Sequence, residues 1–522
     1  MRRRLLALTA ACTLLLGACS LPEVTSRTTS YAPDPASTQE TRLGLGVHRQ
    51  AAQAQAEAGH TGIYALVDAQ EAFAARALLA RLAEQTLDVQ YYIWRNDKTG
   101  QLLLHELIDA ADRGVRVRLL LDDGGTGNLD HELRSLDTHP HIEVRLFNPF
   151  VMRSWIKPLG YVTHFPRTNR RMHNKSFTAD NQASIVGGRN VGNEYFGATD
   201  GVLFADLDVL AIGPVVPEIS QDFDLYWASP MAYPVDSIVT GPVQLPLAQL
   251  RSEGDALMAS PAAHSYRAAI EKTPFMQQLG TGTLPMEWAS TRLISDPPAK
   301  AKGLARDQDL IGHQMGKALG TPVTQLDVIS PYFVPTQSGA AYFIQLRQQG
   351  LRVRILTNAL ESTDVAIVHS GYAKYRKPLL QAGVEIYEMR SHRPDYADDE
   401  LKLRDKLTAL GSSGSSLHAK TFAADGNRLF IGSFNFDPRS MHLNTEMGLM
   451  IDSAALARQV HASFDSAIPS NAYRLSLDEQ GRLLWHSGVG DPPPVYSTEP
   501  QTQWHQRWLL WLLGKMPIEW LL

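Results

Sequence analysis

Cysteine is nearly absent: Cys12 and Cys19 are the two in 522 residues. That excludes a disulfide framework and any cysteine-rich zinc site. An excess of positive charge is missing too. The formal net charge is -5, opposite in sign to the basic footprint of a dedicated nucleic-acid binder. Beyond the first twenty residues no apolar run is long enough to read as a membrane span. Core-forming residues are plentiful, with 44% hydrophobic against 20% charged. A chain of this length and composition folds into two or three domains and is not generally disordered.

The start of the chain has its own pattern. Arg2, Arg3 and Arg4 precede the apolar run Leu5 to Leu16, which ends in Leu16-Gly17-Ala18-Cys19. A charged segment followed by a short apolar segment has the form of a targeting signal. Small residues before a Cys make it similar to a bacterial lipoprotein signal. The resemblance implies cleavage before Cys19, lipid on its thiol and new amino group, and a periplasm-facing anchor in the cell envelope. Ser20, where an Asp would favour inner-membrane retention, leans that expectation toward the outer membrane. The alternative is an ordinary secretory signal with an unrelated Cys. Residues 20–45, with scattered Ser, Thr, Pro and Gln, read as a tether.

The rest of the chain repeats itself once. Leu87-Asp88-Val89 is matched by Leu326-Asp327-Val328, and Val115-Arg116-Val117-Arg118 by Leu351-Arg352-Val353-Arg354. Each pair of strands is separated by a helical stretch, Gln101 to Arg113 and Gly339 to Gln349, and a third strand follows at Ile142 to Phe147 and Val384 to Met389. A Gly (Gly114, Gly350) closes each helix. Strand, helix, strand in the same order twice predicts two similar α/β domains with largely parallel pairing. The expected division is a signal at 1–18, anchor and tether at 19–59, a first domain at 60–227, an insertion and linker at 228–320 with a helical part near Leu247 to Lys272, a second domain at 321–465, and a tail at 466–522. The tail is expected to hold a hairpin from Tyr473 to Trp485 turning at Glu479-Gln480-Gly481.

Chemistry-bearing residues occupy matching places in both repeats. Met172-His173-Asn174-Lys175 leads to Asp180, and Leu417-His418-Ala419-Lys420 leads to Asp425, so both segments read His-x-Lys-x-x-x-x-Asp. Gly187-Gly188-Arg189-Asn190 follows the first and Gly432-Ser433-Phe434-Asn435 the second. In a strand, residues two apart face the same side, so each His and Lys point together while Asn174 and Ala419 point away. Return strands at Ala183 to Val186 and Arg428 to Ile431 bring Asn190 and Asn435 back. Two half-sites of this kind make one pocket at the domain interface. Lysine ammonium groups and the amides of Asn190 and Asn435, with the Ser433 hydroxyl, suit phosphate oxygens. Imidazoles suit nucleophilic attack and proton transfer near neutral pH.

The doubled motif resembles the phospholipase D superfamily over most of residues 60 to 465. The fold this implies is two phospholipase D-like α/β domains packed around one shared active site. The activity it implies is metal-independent phosphodiester chemistry through a phosphohistidine, with no cofactor. By the same resemblance His173 is the nucleophile and His418 the general acid, then base. Lys175, Lys420, Asp180 and Asp425 complete the motifs, the two Asp with a turn-holding role as the alternative. An acidic residue orients each His in this family. Glu446 fits that place in the second repeat and Asp206 in the first, with Glu194 as competitor. Gly188 stands where the second block has Ser433, and a backbone donor is expected to replace the hydroxyl.

The start of the chain, the Tyr91-Tyr92-Ile93-Trp94 run and Gly187 to Gly197 look like the bacterial cardiolipin synthase C type. That implies transfer of a phosphatidyl group from phosphatidylglycerol or phosphatidylethanolamine to a phosphatidylglycerol hydroxyl. Two other readings stand beside it: a hydrolase of the same fold releasing phosphatidic acid, and a non-catalytic membrane-anchored lipid-binding protein. Trp504, Trp508, Trp511 and Trp520 interleave with Leu509, Leu510, Leu512 and Leu513 near Arg507 and Lys515. This segment suits a helix lying in the headgroup region, or one packed on the core. Asp122-Asp123 and Asp398-Asp399-Glu400 read as turn and loop rather than metal ligands. His369 and Tyr372 read as residues of the pocket mouth or of a packed helix. Oligomeric state, donor lipid and any helper protein are left open.

Overall fold

The computed structural model describes residues 21–24, 27–153, 157, 160–198, 203–272, 277–278, 281–363, 365–391 and 415–522. Cys19, the signal segment and Asp398-Asp399-Glu400 lie outside them.

The two repeats join into one continuous sheet through a central antiparallel pair, His60–Leu66 against Glu287–Ser295. In the first repeat Thr86–Ile93, Arg116–Gly125 and Ile142–Phe147 pair in parallel. Thr86–Ile93 also pairs antiparallel with Ser176–Ala179, which turns back into Ala183–Gly187 and then Asp208–Ile212. The second repeat follows the same plan with Gln325–Ile329, Arg352–Asn358 and Glu385–Met389 parallel, and Thr421–Ala424, Arg428–Gly432 and Met447–Asp452 antiparallel. A hairpin of Ala472–Leu477 and Leu483–Ser487 extends the second edge, with Gly481 at φ +70° in its turn.

The matching sequence has matching physics. Asp88 receives the Arg118 guanidinium at two 2.7 Å bonds, and Asp327 receives that of Arg354 at 2.8 and 2.6 Å; all four side chains are buried. The helices Lys98–Asp112 and Thr336–Gln348 end before Gly114 at φ +92° and Gly350 at φ +89°, a backbone geometry that glycine adopts without strain.

Two expected boundaries shift. Glu287–Ser295, inside the segment expected to be linker, is the second repeat's counterpart of His60–Leu66 and carries its own share of the sheet. The helices Leu247–Ala259 and His264–Lys272 do behave as an insertion and dock on the first domain: Arg251 pairs with Asp112 at 2.7 Å, and the Tyr266 ring packs edge-on against Phe73. The expected tether is docked too, from Arg27 onward. Carbonyls of Thr28, Ser30 and Tyr31 accept from Arg145, Arg118 and Arg116, and the helix Arg42–Gln53 follows. An extended polar chain has free carbonyls, and guanidinium groups from the parallel strands satisfy them.

The tail forms the helix Trp504–Leu513, with Leu510 buried and Trp504, Trp508 and Trp511 exposed. Among the described residues no helix is long and apolar enough to cross a membrane.

Candidate active site

The His-x-Lys triplets lie just before the strands Ser176–Ala179 and Thr421–Ala424, not inside them. The reason is that their backbones pair with the other repeat. The His173 amide donates to the Thr445 carbonyl at 2.8 Å, and the His418 amide to that of Ala205 at 2.8 Å. Ser415–Leu417 runs parallel to Leu203–Ala205, and Met172 bridges to Thr445. Asn174 and Ala419 are buried away from the triplets' shared face, and the Thr445 hydroxyl donates to Asn174 Oδ1 at 2.7 Å.

This crossing decides the orienting carboxylates. Glu446 follows Thr445, and its Oε2 lies 2.7 Å from His173 Nδ1. Asp206 follows Ala205, and its Oδ2 lies 2.5 Å from His418 Nδ1. Each carboxylate therefore serves the histidine of the opposite repeat, where the repeat alignment had placed it with its own. Glu194 is at neither imidazole and pairs with Arg95 at 3.2 Å.

Each imidazole is held on Nδ1, which leaves Nε2 for chemistry. Burial lowers His173 well below the usual imidazole value, and the cationic Lys175 and Lys420 beside it push the same way. His418 is lowered by burial and by Lys420, against the pull of Asp206. His173 is consequently neutral at pH 7, while Asp206 favours the protonated form of His418. Burial drives the Glu446 carboxyl up to about 7, although Lys175 and the Ser433 hydroxyl favour its charge. Asp206 is buried as well, yet His418, by charge and hydrogen bond, holds it well below the ordinary carboxylate value. Burial brings the Lys175 ammonium down to about 7.

Lys175 Nζ donates to the His173 carbonyl at 2.7 Å, and Lys420 Nζ makes the same bond to His418. Asn190 Oδ1 takes the Ile93 amide and its Nδ2 donates to the Tyr195 hydroxyl. Asn435 Oδ1 is buried with no partner among the described residues. The Ser433 hydroxyl is turned onto Glu446 Oε2 and also accepts the Met447 amide at 3.0 Å.

Gly188 does not supply the expected substitute donor: its amide goes to the Leu207 carbonyl at 3.1 Å. The space of a side chain there is occupied by Asp206, whose Oδ1 lies 2.0 Å from where a Cβ would stand. The shorter aspartate thus requires a glycine, while the longer glutamate leaves room for Ser433.

Asp180 and Asp425 sit at the far ends of the motif strands. Asp180 accepts the amides of Glu84, Gln85 and Thr86, and Asp425 those of Val323, Thr324 and Gln325. Both have positive φ, +52° and +54°, which Asp tolerates better than most residues. These contacts describe the turn-holding alternative. Asp122 and Asp123 are committed to cations, Asp122 to Arg171 and Asp123 to Arg153 and Lys157.

Four contributors were not named as site residues from the sequence, although Tyr92 and Tyr195 lie in the runs that carry the resemblance. The Tyr92 ring packs edge-on to His173 with centroids 4.9 Å apart, and Tyr195 and Phe204 flank His418 at 5.2 and 5.0 Å. Asp296 accepts the Glu446 amide at 2.9 Å and the Lys300 ammonium at 2.7 Å. Tyr92 was reachable in principle, because it ends a parallel strand, where α/β sheets place ligands.

Two imidazoles held on Nδ1 by buried carboxylates, each with a lysine two residues on, define a phospholipase D-type phosphodiester site on a doubled α/β scaffold. The chain belongs to the family described as cardiolipin synthase, phospholipase D-like domain, whose model matches residues 78–227 and 315–468. It is 47% identical over 471 residues to cardiolipin synthase C of Escherichia coli K12, covering 89% of this chain and 97% of that one. An uncharacterized protein of Helicobacter pylori 26695 is 31% identical, covering 82% of this chain and 80% of its own. The fold is shared with a phosphatidylserine synthase structure from Haemophilus influenzae Rd KW20, at a TM-score of 0.58 and 13% identity, covering 91% of this chain and 100% of that one.

Proposed function

We propose that the protein is a phosphatidyltransferase that makes cardiolipin from phosphatidylglycerol and a second phospholipid. The observation that carries this reading is the pair of cross-held histidines in one buried site, together with the 47% identity to a cardiolipin synthase. His173 Nε2, neutral and oriented by Glu446, attacks phosphorus. The bond to the headgroup oxygen breaks, and the imidazolium of His418 delivers its Nε2 proton to that oxygen, freeing glycerol or ethanolamine and leaving His418 neutral. The phosphatidyl group now rests on His173. His418 then takes the proton of a phosphatidylglycerol hydroxyl, whose oxygen attacks phosphorus and releases the His173 nitrogen. Lys175 and Lys420 balance the charge of the phosphoryl oxygens, and the Asn435 amide nitrogen adds a hydrogen bond. Water in place of the lipid hydroxyl gives phosphatidic acid, so exclusion of water decides the product.

Attachment to the envelope through a lipidated Cys19 fits an enzyme whose substrates stay in a membrane. Mass spectrometry of the mature N-terminal peptide tests it, with an acylated Cys19 as the expected first residue. For the activity, purified protein is given phosphatidylglycerol vesicles with and without phosphatidylethanolamine, and products are read by lipid mass spectrometry. Cardiolipin that disappears in His173→Ala is the expected result. Phosphatidic acid alone would replace the transferase with a hydrolase.

A further inference from the structure

The last helix of the chain is half docked and half bare. Leu510 is buried, while Trp504, Trp508 and Trp511 are 71%, 56% and 58% exposed, and Leu509, Leu512 and Trp520 are open beside them. Such a cluster of large apolar side chains is unusual on a water-facing surface. Indole rings with leucines, edged by Lys515 over the Trp511 ring at 4.3 Å and by Arg507, match the polarity gradient of a lipid headgroup layer.

Its place matters as much as its composition. Past the helix, Glu519 accepts from Tyr375 at 2.7 Å and pairs with Lys374. The Leu522 carbonyl then accepts the Arg439 amide at 2.8 Å, and the Arg439 guanidinium also holds the Leu521 and Asn169 carbonyls at 3.2 and 3.0 Å. Asn169 lies four residues before His173 in the segment that enters the first motif. The same segment presents Tyr161 and Phe165, each more than a third exposed. The bare face is therefore tied by one arginine to the rim of the catalytic site.

We infer that the Trp504–Leu513 helix and the hook to Leu522 form a lipid-surface docking platform that seats the active-site rim on the membrane. The inference rests on the reading of phospholipids as substrates. A lipid with two acyl chains stays anchored in its bilayer, so the rim must touch that bilayer for the headgroup to reach His173, and the neighbouring bare face is covered by the same surface.

The test uses the full chain in a Cys19→Ser background, where no acyl anchor competes. Trp508→Ala/Trp511→Ala is compared with its parent for sedimentation with phosphatidylglycerol–phosphatidylethanolamine vesicles, and for turnover of dihexanoyl phosphatidylglycerol kept below its micelle concentration. The expectation is vesicle partitioning weaker by about tenfold or more, with turnover of the monomeric lipid kept. Vesicle binding within about twofold of the parent would overturn the platform. So would joint loss of binding and monomer turnover, which marks a structural tail, or a lipid-free dimer that the substitutions dissolve. If the parent turns over no phospholipid, the substrate reading falls and the vesicle arm alone decides the surface.

Discussion

Gly188→Ala separates the roles of the two histidines. A Cβ at this position would stand 2.0 Å from Asp206 Oδ1 and 2.8 Å from its Cγ. The carboxylate must move by about 1 Å to relieve the contact, and misplacement of that size in a catalytic group costs roughly 100-fold in rate. Asp206 is fully buried and its Oδ2 holds His418, so the damage passes to the histidine proposed as general acid and base. His173 keeps Glu446 and Ser433, which approach from the other repeat. A phosphodiester with a p-nitrophenyl leaving group needs no proton to depart. The variant is therefore expected to release one equivalent of nitrophenolate in a burst and then stall, with the adduct on His173 detectable by mass spectrometry of acid-quenched protein. Turnover of natural lipid falls by about 100-fold. A variant that gives no burst and no adduct would refute the reasoning, because Asp206 and His418 would then serve the nucleophilic step. Unchanged lipid turnover would refute it from the other side.

The pH–rate profile should be a narrow bell near neutrality. Glu446, raised to about 7, must lose its proton to orient His173, and Lys175, lowered to about 7, must keep its own to bind phosphate. Activity thus rises as Glu446 ionises and falls as Lys175 neutralises, and the two limbs belong to the interacting pair. Lys175→Arg, charged throughout, should move the alkaline limb upward if the fork is accommodated. Asp180→Ala removes the acceptor of three backbone amides and should cost about 3 kcal/mol of stability in urea unfolding, while the folded variant retains kcat within about threefold; a hundredfold loss of kcat in a stable variant would restore a chemical role. Asp327→Ala leaves the Arg354 guanidinium, fully buried, with the half-exposed Asp465 as its one carboxylate partner among the described residues. A loss of about 3 kcal/mol is expected by denaturant titration, and a loss below about 1 kcal/mol would show that Asp465 suffices.

Much of the site was legible because short-range rules generate it. The two-residue spacing keeps His173 by Lys175 and His418 by Lys420 even though both triplets lie just before their strands, each Lys Nζ bonding the His carbonyl, and Gly114 and Gly350 mark helix ends by backbone freedom alone. The repeat also located Asp206 and Glu446, since both precede apolar strands, Asp208–Ile212 and Met447–Asp452. Their exchange between domains was not legible. Repeat alignment says which residues correspond, whereas facing is decided by tertiary pairings such as His173 with Thr445. Glu287–Ser295 escaped for a different reason. Its exposed Ser290 and Arg292 leave it only partly buried, so it lacks the apolar run that marks a central strand, and sheet hydrogen bonds with His60–Leu66 place it. The tether was misread from composition: Ser, Thr and Pro describe a segment without a core of its own, and say nothing of arginines elsewhere that bind its carbonyls.

The exchange of carboxylates has a consequence for how the enzyme is built. If each domain oriented its own histidine, the interface would only need to bring two finished half-sites together. Here neither half-site is finished alone, because Nδ1 of each imidazole and the amide of each histidine are satisfied by the opposite repeat. Breathing of the interface would unpair a buried carboxylate and a buried imidazole at both sites at once, and each unmet group carries a desolvation cost of about 1–3 kcal/mol. The continuous sheet through His60–Leu66 and Glu287–Ser295 opposes that motion with backbone hydrogen bonds on a second line of contact. A rigid interface suits a two-step transfer. In the proposed mechanism the phosphohistidine on His173 must wait for the second lipid while His418 stays aligned, and any opening would admit the water that diverts the product to phosphatidic acid.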